Sequence, residues 1–384
     1  MTSSNINWQE AVTLAQDLIR VDSYEHEGKL VLLKMVEKLL TERTPAEVKL
    51  YDMDTDAPYM VADLQCDNPQ FTLLLQGHLD TVSPEGMENP FVPTINNGRL
   101  WGRGAADMKA GCASLLVAFM AAANMPGRRG RVILAFSTDE EYKVAEMVTA
   151  LEKGHIPKCD LGIIAEPSDD RLNVAHRGNA WIKVNFHGKS AHASNPADGI
   201  NANYMAAAFG CELREYLKTA YQDKEDELCG RSCMNLGTIS GGTFANVVAP
   251  YATLMLDKRY IPAETIKDFT DEVEAIMAKC KAKDPEFKAD YEVILDCTPV
   301  RFPIESPLFA RVCSAVNSTR EKPIDYGVMA GWGEAGTIQY FDIPALYYGP
   351  GDMVSAHTPT EDVSVDEIIG TAKGIYAIVK ETCG

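Results

Sequence analysis

The sequence predicts an α/β protein in which a mostly parallel sheet, flanked by helices, is interrupted by an inserted α+β, ferredoxin-like unit. Three observations carry this expectation. Strand-like apolar runs alternate with helical spacing between residues 71 and 165, and near 179 the pattern changes to strand-helix-strand-strand-helix-strand. Beyond residue 293 the chain carries a histidine, His357, whose chemistry belongs with residues before 167, so the last segment returns to the first domain. The implied division is 1–178 and 293–384 for the principal domain, with 179–292 inserted. A chain of 384 residues also exceeds the size at which single cores stop growing.

In order, residues 8–20 and 27–43 have helical apolar spacing, and 47–53, 59–65 and 71–76 read as strands. An Ala-, Leu- and Met-rich helix is expected over 108–125, then a strand at 131–137, a helix near 145–153 and a buried strand at 160–165. Parallel strands need long crossovers, so this alternation implies a sheet covered by helices on both faces. In the insertion, residues 180–186 alternate like a half-exposed strand. There 200–218 reads as a helix, 234–240 and 252–260 as strands, 264–282 as an amphipathic helix and 291–295 as the closing strand. Helices at 306–317 and 334–341, a strand at 345–348 and a last helix at 364–380 complete the chain.

Composition narrows the function. With 46% hydrophobic and 24% charged residues, and no apolar run of membrane-spanning length, the chain reads as globular. Its first eight residues lack the basic start and apolar core of a secretion signal, which points to the cytoplasm. A net charge of −19 repels polyanions, so neither nucleic acid nor an anionic membrane is an expected partner. The ten cysteines contain no Cys-x-x-Cys; Cys229 and Cys233 form the closest pair and lack a second pair, so reduced thiols are expected.

The chemistry gathers at strand ends. Gly77-His78-Leu79-Asp80-Thr81 closes an apolar run, and Asp80, two residues on, stands on the same side of an extended segment, where it can hold the second nitrogen of His78. Asp107, Glu140-Glu141 and Glu166 likewise follow apolar runs, and functional groups of α/β sheets collect beyond the carboxyl ends of strands. Two histidines with several carboxylates and no cysteine suit hydrolytic zinc, cobalt or manganese rather than a closed structural zinc site. Five candidates point to a pair of divalent ions roughly 3.5 Å apart, bridged by a carboxylate and a water, the geometry that activates water for amide hydrolysis. In the adjacent Glu140-Glu141 pair one carboxylate can bind metal while its neighbour serves as the base.

These motifs resemble the co-catalytic zinc peptidases and deacylases that include acetylornithine deacetylase, succinyl-diaminopimelate desuccinylase, aminoacylases and a bacterial glutamate carboxypeptidase. The resemblance spans essentially the whole chain. It rests on Gly77-His78-Leu79-Asp80-Thr81, the stretch from Gly102 through Asp107 to Gly111, Thr138-Asp139-Glu140-Glu141, Glu166-Pro167-Ser168, Gly188 to Ser194, and Gly349-Pro350-Gly351 followed by Ala356-His357-Thr358-Pro359. It implies that His78, Asp107 and Glu166 bind one ion and Asp107, Glu141 and His357 the other, with Asp107 as bridge, Glu140 as general base and Asp80 orienting His78. It further implies a cis bond between Asp107 and Met108, and an inserted domain that acts as lid and dimerisation element. His192 would then reach the oxyanion in a partner's site. Asn246 and Arg259 would contact substrate, Arg259 as a fork for its carboxylate, and the glycines at 349 and 351 would line the pocket.

The implied substrate is a small N-acyl amino acid or short peptide. Ala175-His176-Arg177-Gly178 and Gly333-Glu334-Ala335-Gly336-Thr337 lean toward the acetylornithine deacetylases of arginine biosynthesis, although Glu334 stands where many relatives carry Asp. A carboxypeptidase, dipeptidase or desuccinylase on the same scaffold is the alternative, and a non-catalytic binding protein has no need of an intact ligand set with an unpaired acid. His26, His155 and His187 read as structural, His176 as a strand-joining residue and Lys109 as a helix-packing one.

Overall fold

In the computed structural model, which describes residues 6–142 and 145–384, the chain forms two compact units. One comprises the described residues through Ala175 together with Phe302–Gly384; the other is His176–Arg301. The opening residues read above for a secretion signal lie in part outside the described ones. Among the described residues no helix is long and apolar enough to cross a membrane.

The first unit is built on a large mixed sheet. Its central four strands, Arg131–Ser137, Thr72–His78, Leu161–Pro167 and Ala345–Gly349, run parallel and side by side. The flanks depart from the largely parallel expectation: Glu47–Tyr51 and Tyr59–Leu64 add antiparallel strands on one side, and Arg171–His176 is antiparallel to Ala345–Gly349 on the other. A short connection can join only antiparallel neighbours, which accounts for the pairing of Glu47–Tyr51 with Tyr59–Leu64 across the turn that Asp52 (φ 53°) opens. Asp169 and Asp170 (φ 55° and 54°) instead turn the chain from Leu161–Pro167 to Arg171–His176, which flank Ala345–Gly349 on opposite sides.

The helix Lys109–Ala123 is buried on every side through Ala122. It lies between the sheet and the outer helices Glu10–Ile19 and Val365–Cys383, and its small residues admit that close packing. Sequence reading passed over the short strands Thr94–Asn96, Arg99–Trp101 and Asp362–Ser364, which form a small sheet of their own. Three-residue strands carry too little periodicity to be seen.

The second unit has the strand order Cys233–Gly241, Tyr251–Tyr260, Gly178–His187, Ala289–Cys297, all antiparallel. With the helices Ala202–Leu217 and Ile266–Lys283 this is the expected ferredoxin-like succession. Ile182, Val184, Phe186, Phe209, Leu254, Leu256 and Phe269 fill its core, and a Thr265/Asp268 capping box starts the second helix. The closing strand runs past the expected limit at 292, and the unit ends at Arg301.

Candidate metal centre

Within the first unit, strand order alone brings several of the sequence-selected side chains together. His78 ends one central strand, Glu166 stands near the end of its neighbour, and Glu140 and Glu141 follow the strand on the other side. Asp107 precedes the buried helix. That helix carries Gly111, where an added Cβ would stand 2.1 Å from the carbonyl oxygen of Ala165; at Gly349 the corresponding distance is also 2.1 Å. Two missing side chains thus let a helix and a strand close on the backbone beside Glu166, which fixes Asp107 and Glu166 relative to one another.

The resulting distances are short. His78 Nε2 lies 3.0 Å from Asp107 Oδ1, 3.6 Å from Glu166 Oε1 and 3.9 Å from Glu140 Oε2. His357 Nε2 lies 3.3 Å from Asp107 Oδ2 and 3.0 Å from Glu141 Oε1. Asp107 therefore turns one oxygen to each histidine. His78, Asp107 and Glu166 form one group with a donor atom from each within 4.8 Å of the others, and Asp107, Glu141 and His357 form a second. The Asp107–Met108 peptide is cis, and His357 sits at φ 62°.

Asp80 does more than the sequence suggested. Its carbonyl oxygen lies 3.1 Å from His78 Nδ1 and its carboxylate 3.4 Å, so either acceptor turns Nε2 toward the centre. The same carboxylate accepts the backbone N–H groups of Glu140 (3.4 Å) and Glu141 (3.1 Å). One buried acid thus orients both a histidine and the glutamate pair.

Two residues escaped the sequence reading. Glu361, fully buried, accepts N–H groups from Ala106 (2.9 Å), Asp107 (3.1 Å) and Gly104 (3.1 Å), and pairs with Arg103 at 2.6 Å. It anchors the loop that presents Asp107. The sequence offers only an acid two residues beyond Pro359 and an arginine between two glycines, with nothing to link them.

The electrostatics suit a cation. Burial, then Glu166 and Glu141 nearby, push the Glu140 carboxyl well above its ordinary value; burial and Asp107 raise Glu166 and Glu141. For Asp107 burial is outweighed by hydrogen bonds from His357 and His78, which hold its carboxyl below the usual range. Burial would lower His78, but Glu166 and its two aspartate neighbours raise it well above normal. Carboxylates crowded with only imidazoles between them fit divalent ions bound by nitrogen and oxygen. Cys112 is no ligand: its thiol donates to the His78 carbonyl at 3.0 Å and burial pushes its pKa up.

Gly349 and Gly351 spend their backbone groups inside the unit: Gly349 exchanges hydrogen bonds with Ser168, while the Gly351 N–H donates to Glu367 and its carbonyl accepts from Asp169. Lys109 starts its helix and donates to the Val21 carbonyl. His155 stacks on Tyr51 and bonds Tyr59, and His187 pairs with Asp290. His176 is buried against the Arg177 carbonyl, and burial lowers it to about 4, so it stays neutral. In the second unit His192 is exposed, and a backbone bridge to Val247 sets it beside Asn246. The Arg259 guanidinium is held by Asp257 at 2.9 and 3.1 Å. All ten cysteines are free.

The model for peptidase family M20/M25/M40 matches residues 74–381. The chain belongs to that family. It is 30% identical over 322 residues to the acetylornithine deacetylase of Salmonella arizonae, covering 81% of this chain and 80% of the relative. Its fold matches aminopeptidase PepT of Bacillus cereus with TM-score 0.74 at 24% identity, covering 98% of this chain and 99% of that one. A dinuclear metal-binding peptidase of the M20 family from Bacillus subtilis matches with TM-score 0.75 at 12% identity, covering 98% of both chains. As an M20 member the protein is a metal-dependent hydrolase.

Glu146, a buried acid near Asp80, gives a test of these electrostatics. Glu146 accepts the Thr138 N–H at 2.9 Å, and burial, then Glu334 and Asp80, raise its carboxyl from 4.5 to about 8. A raised folded value favours the protonated form, so that stability is full below about pH 4.5 and is lost as pH rises through about 8. Glu146→Gln keeps the acceptor and never ionises. It is expected to gain on wild type progressively from pH 5 to 8, by on the order of a few kcal/mol, with no further gain above. Denaturant titrations at pH 5, 7 and 9 measure this; a difference independent of pH would contradict it.

Proposed function

We propose that the protein hydrolyses the amide bond of N-acyl amino acids, in the manner of acetylornithine deacetylases, with Glu140 as general base. The observation that supports this most strongly is Asp107, whose two oxygens face separate donor groups, beside a Glu140 that joins neither group. His78, Asp107 and Glu166 would hold one cation and Asp107, Glu141 and His357 the other; zinc suits these donors best, with cobalt or manganese also compatible. When bound, such ions supply Lewis acidity and make water a nucleophile near neutral pH. Glu140, its proton affinity raised by burial, takes the proton from the attacking water and passes it to the departing amine. Asp80 keeps His78 and the Glu140 backbone in place through that exchange.

In this reading the protein works as a homodimer through its inserted unit, with His192 donating to the oxyanion in the partner's site. Asn246 and Arg259 would meet the substrate, and a carboxylate at Arg259 would compete with Asp257 for the guanidinium. The leaning of residues 175–178 and 333–337 toward the deacetylases, together with the Salmonella arizonae relative, supports an acetyl rather than a peptidyl substrate.

Chelation of the purified protein is expected to abolish hydrolysis, and a divalent ion to restore it. On a panel of N-acetyl amino acids, N-succinyl amino acids and dipeptides, the N-acetyl compounds should give the highest kcat/KM. Activity indifferent to chelation would overturn the metal centre, and a preference for dipeptides would overturn the deacylase assignment.

A further inference from the structure

Glu334 is a fully buried acid outside both donor groups. It lies just before the short helix Ala335–Tyr340, on a different part of the chain from any proposed ligand. Its Oε2 accepts the Ser137 hydroxyl at 2.8 Å and the side-chain amide of Gln76, and the amide of Gln76 also faces Ser137 at 3.5 Å. Ser137 ends the strand that leads into Glu140 and Glu141, and Gln76 stands two residues before His78 on the neighbouring strand. These two strands are paired in register, His78 opposite Ser137. A single carboxyl therefore spans the ends of the two strands that deliver a histidine of one donor group and the base beside it.

Stability alone does not account for this acid. Among the described residues, Glu334 Oε1 and Gln76 Oε1 are both buried without a hydrogen-bond partner, and burial raises the Glu334 carboxyl to about 7. A buried polar group left partly unpaired destabilises a fold relative to an apolar neighbour of similar shape. What the carboxyl contributes is a fixed spacing between the two strand ends, in addition to the tie that Asp80 makes between His78 and the backbone of Glu140 and Glu141.

We propose that Glu334 is a positioning residue for the hydrolysis: through Gln76 and Ser137 it braces the two strand ends so that Glu140 keeps its place beside His78. This rests on the hydrolase reading above. The brace works by hydrogen bonding, not by charge, so an amide in the same place preserves it.

The experiment compares Glu334→Ala, Glu334→Gln, Ser137→Ala and the double variant Glu334→Ala/Ser137→Ala with wild type on the best N-acetyl substrate, each at measured metal content and folded fraction. Glu334→Ala should lower kcat by about 10–100-fold, with KM within about threefold and metal stoichiometry unchanged, while Glu334→Gln stays within about threefold of wild type. Ser137→Ala should cost less, and the double variant should lose no more than Glu334→Ala alone, because both act through one hydrogen bond. Unchanged kcat per metal-loaded folded molecule in Glu334→Ala, or additive losses in the double variant, would overturn the proposal. Should Glu334→Ala fail to fold, Ser137→Ala beside Glu334→Gln decides: full activity in Ser137→Ala overturns the brace. Wild type turning over no substrate at all is a different result, since it removes the hydrolase reading and leaves no kcat to compare.

Discussion

Glu140→Gln is expected to retain its metal and to lose on the order of 10²–10⁴-fold in kcat, the span that accompanies a lost general base. The amide is isosteric, and the Glu140 backbone stays held by Asp80, so the loss isolates the proton-accepting oxygen. Glu141→Gln makes the contrast. Its Oε1 lies 3.0 Å from His357 Nε2 within the second donor group, so replacing it should weaken metal binding first and turnover as a consequence. Metal content after dialysis, measured beside kcat for both variants, separates the two adjacent acids: Glu140→Gln metal-loaded and slow, Glu141→Gln metal-poor and recovering with added ion. Turnover near wild type in Glu140→Gln would remove the base assignment, and metal loss equal in both variants would mean that the pair is not divided as proposed.

Much of the gathered site was legible because most of its members follow a strand-like apolar run, and parallel strands place their carboxyl ends along one edge. His78, Glu140, Glu141 and Glu166 needed only that rule. Asp107 and His357 needed in addition the family resemblance carried by the Gly102–Gly111 stretch and by Ala356-His357-Thr358-Pro359. The supports were not legible, because their partners lie far away in the chain. Glu361 reaches Asp107 across 254 residues and Glu334 reaches Gln76 across 258, and no local pattern marks either pairing. The same holds for the second task of Asp80, whose bonds to the glutamate pair span 60 and 61 residues. In the fold, the long alternating segments were readable, whereas the antiparallel flanks and the three-residue strands depended on distant partners that periodicity cannot show.

His192 carries the other large expected effect. Its Nδ1 lies 2.8 Å from the Ser194 hydroxyl and accepts the Ser194 N–H at 3.2 Å, which fixes the ring on an exposed turn. The bridge to Val247 places it beside Asn246, the second residue assigned to substrate. In the same unit the strand Cys233–Gly241 forms one edge of the four-stranded sheet among the described residues, with Ile239 58% exposed, and on the proposed dimer this edge would meet a second copy. On the dimer reading, His192→Ala should lower kcat by about 10²–10³-fold, the usual loss for an oxyanion donor, with metal content unchanged. Mixing it with Glu140→Gln tests the trans arrangement directly. In a heterodimer one site combines Glu140→Gln with the partner's missing imidazole, while the other pairs an intact Glu140 with an intact His192. Statistical exchange between equal amounts should therefore restore about a quarter of wild-type activity from two nearly inactive proteins, since half the dimers are mixed and half their sites are whole. A histidine acting within its own chain would leave every site in the mixture with one defect, so no recovery after heterodimers are demonstrated would assign His192 to its own subunit.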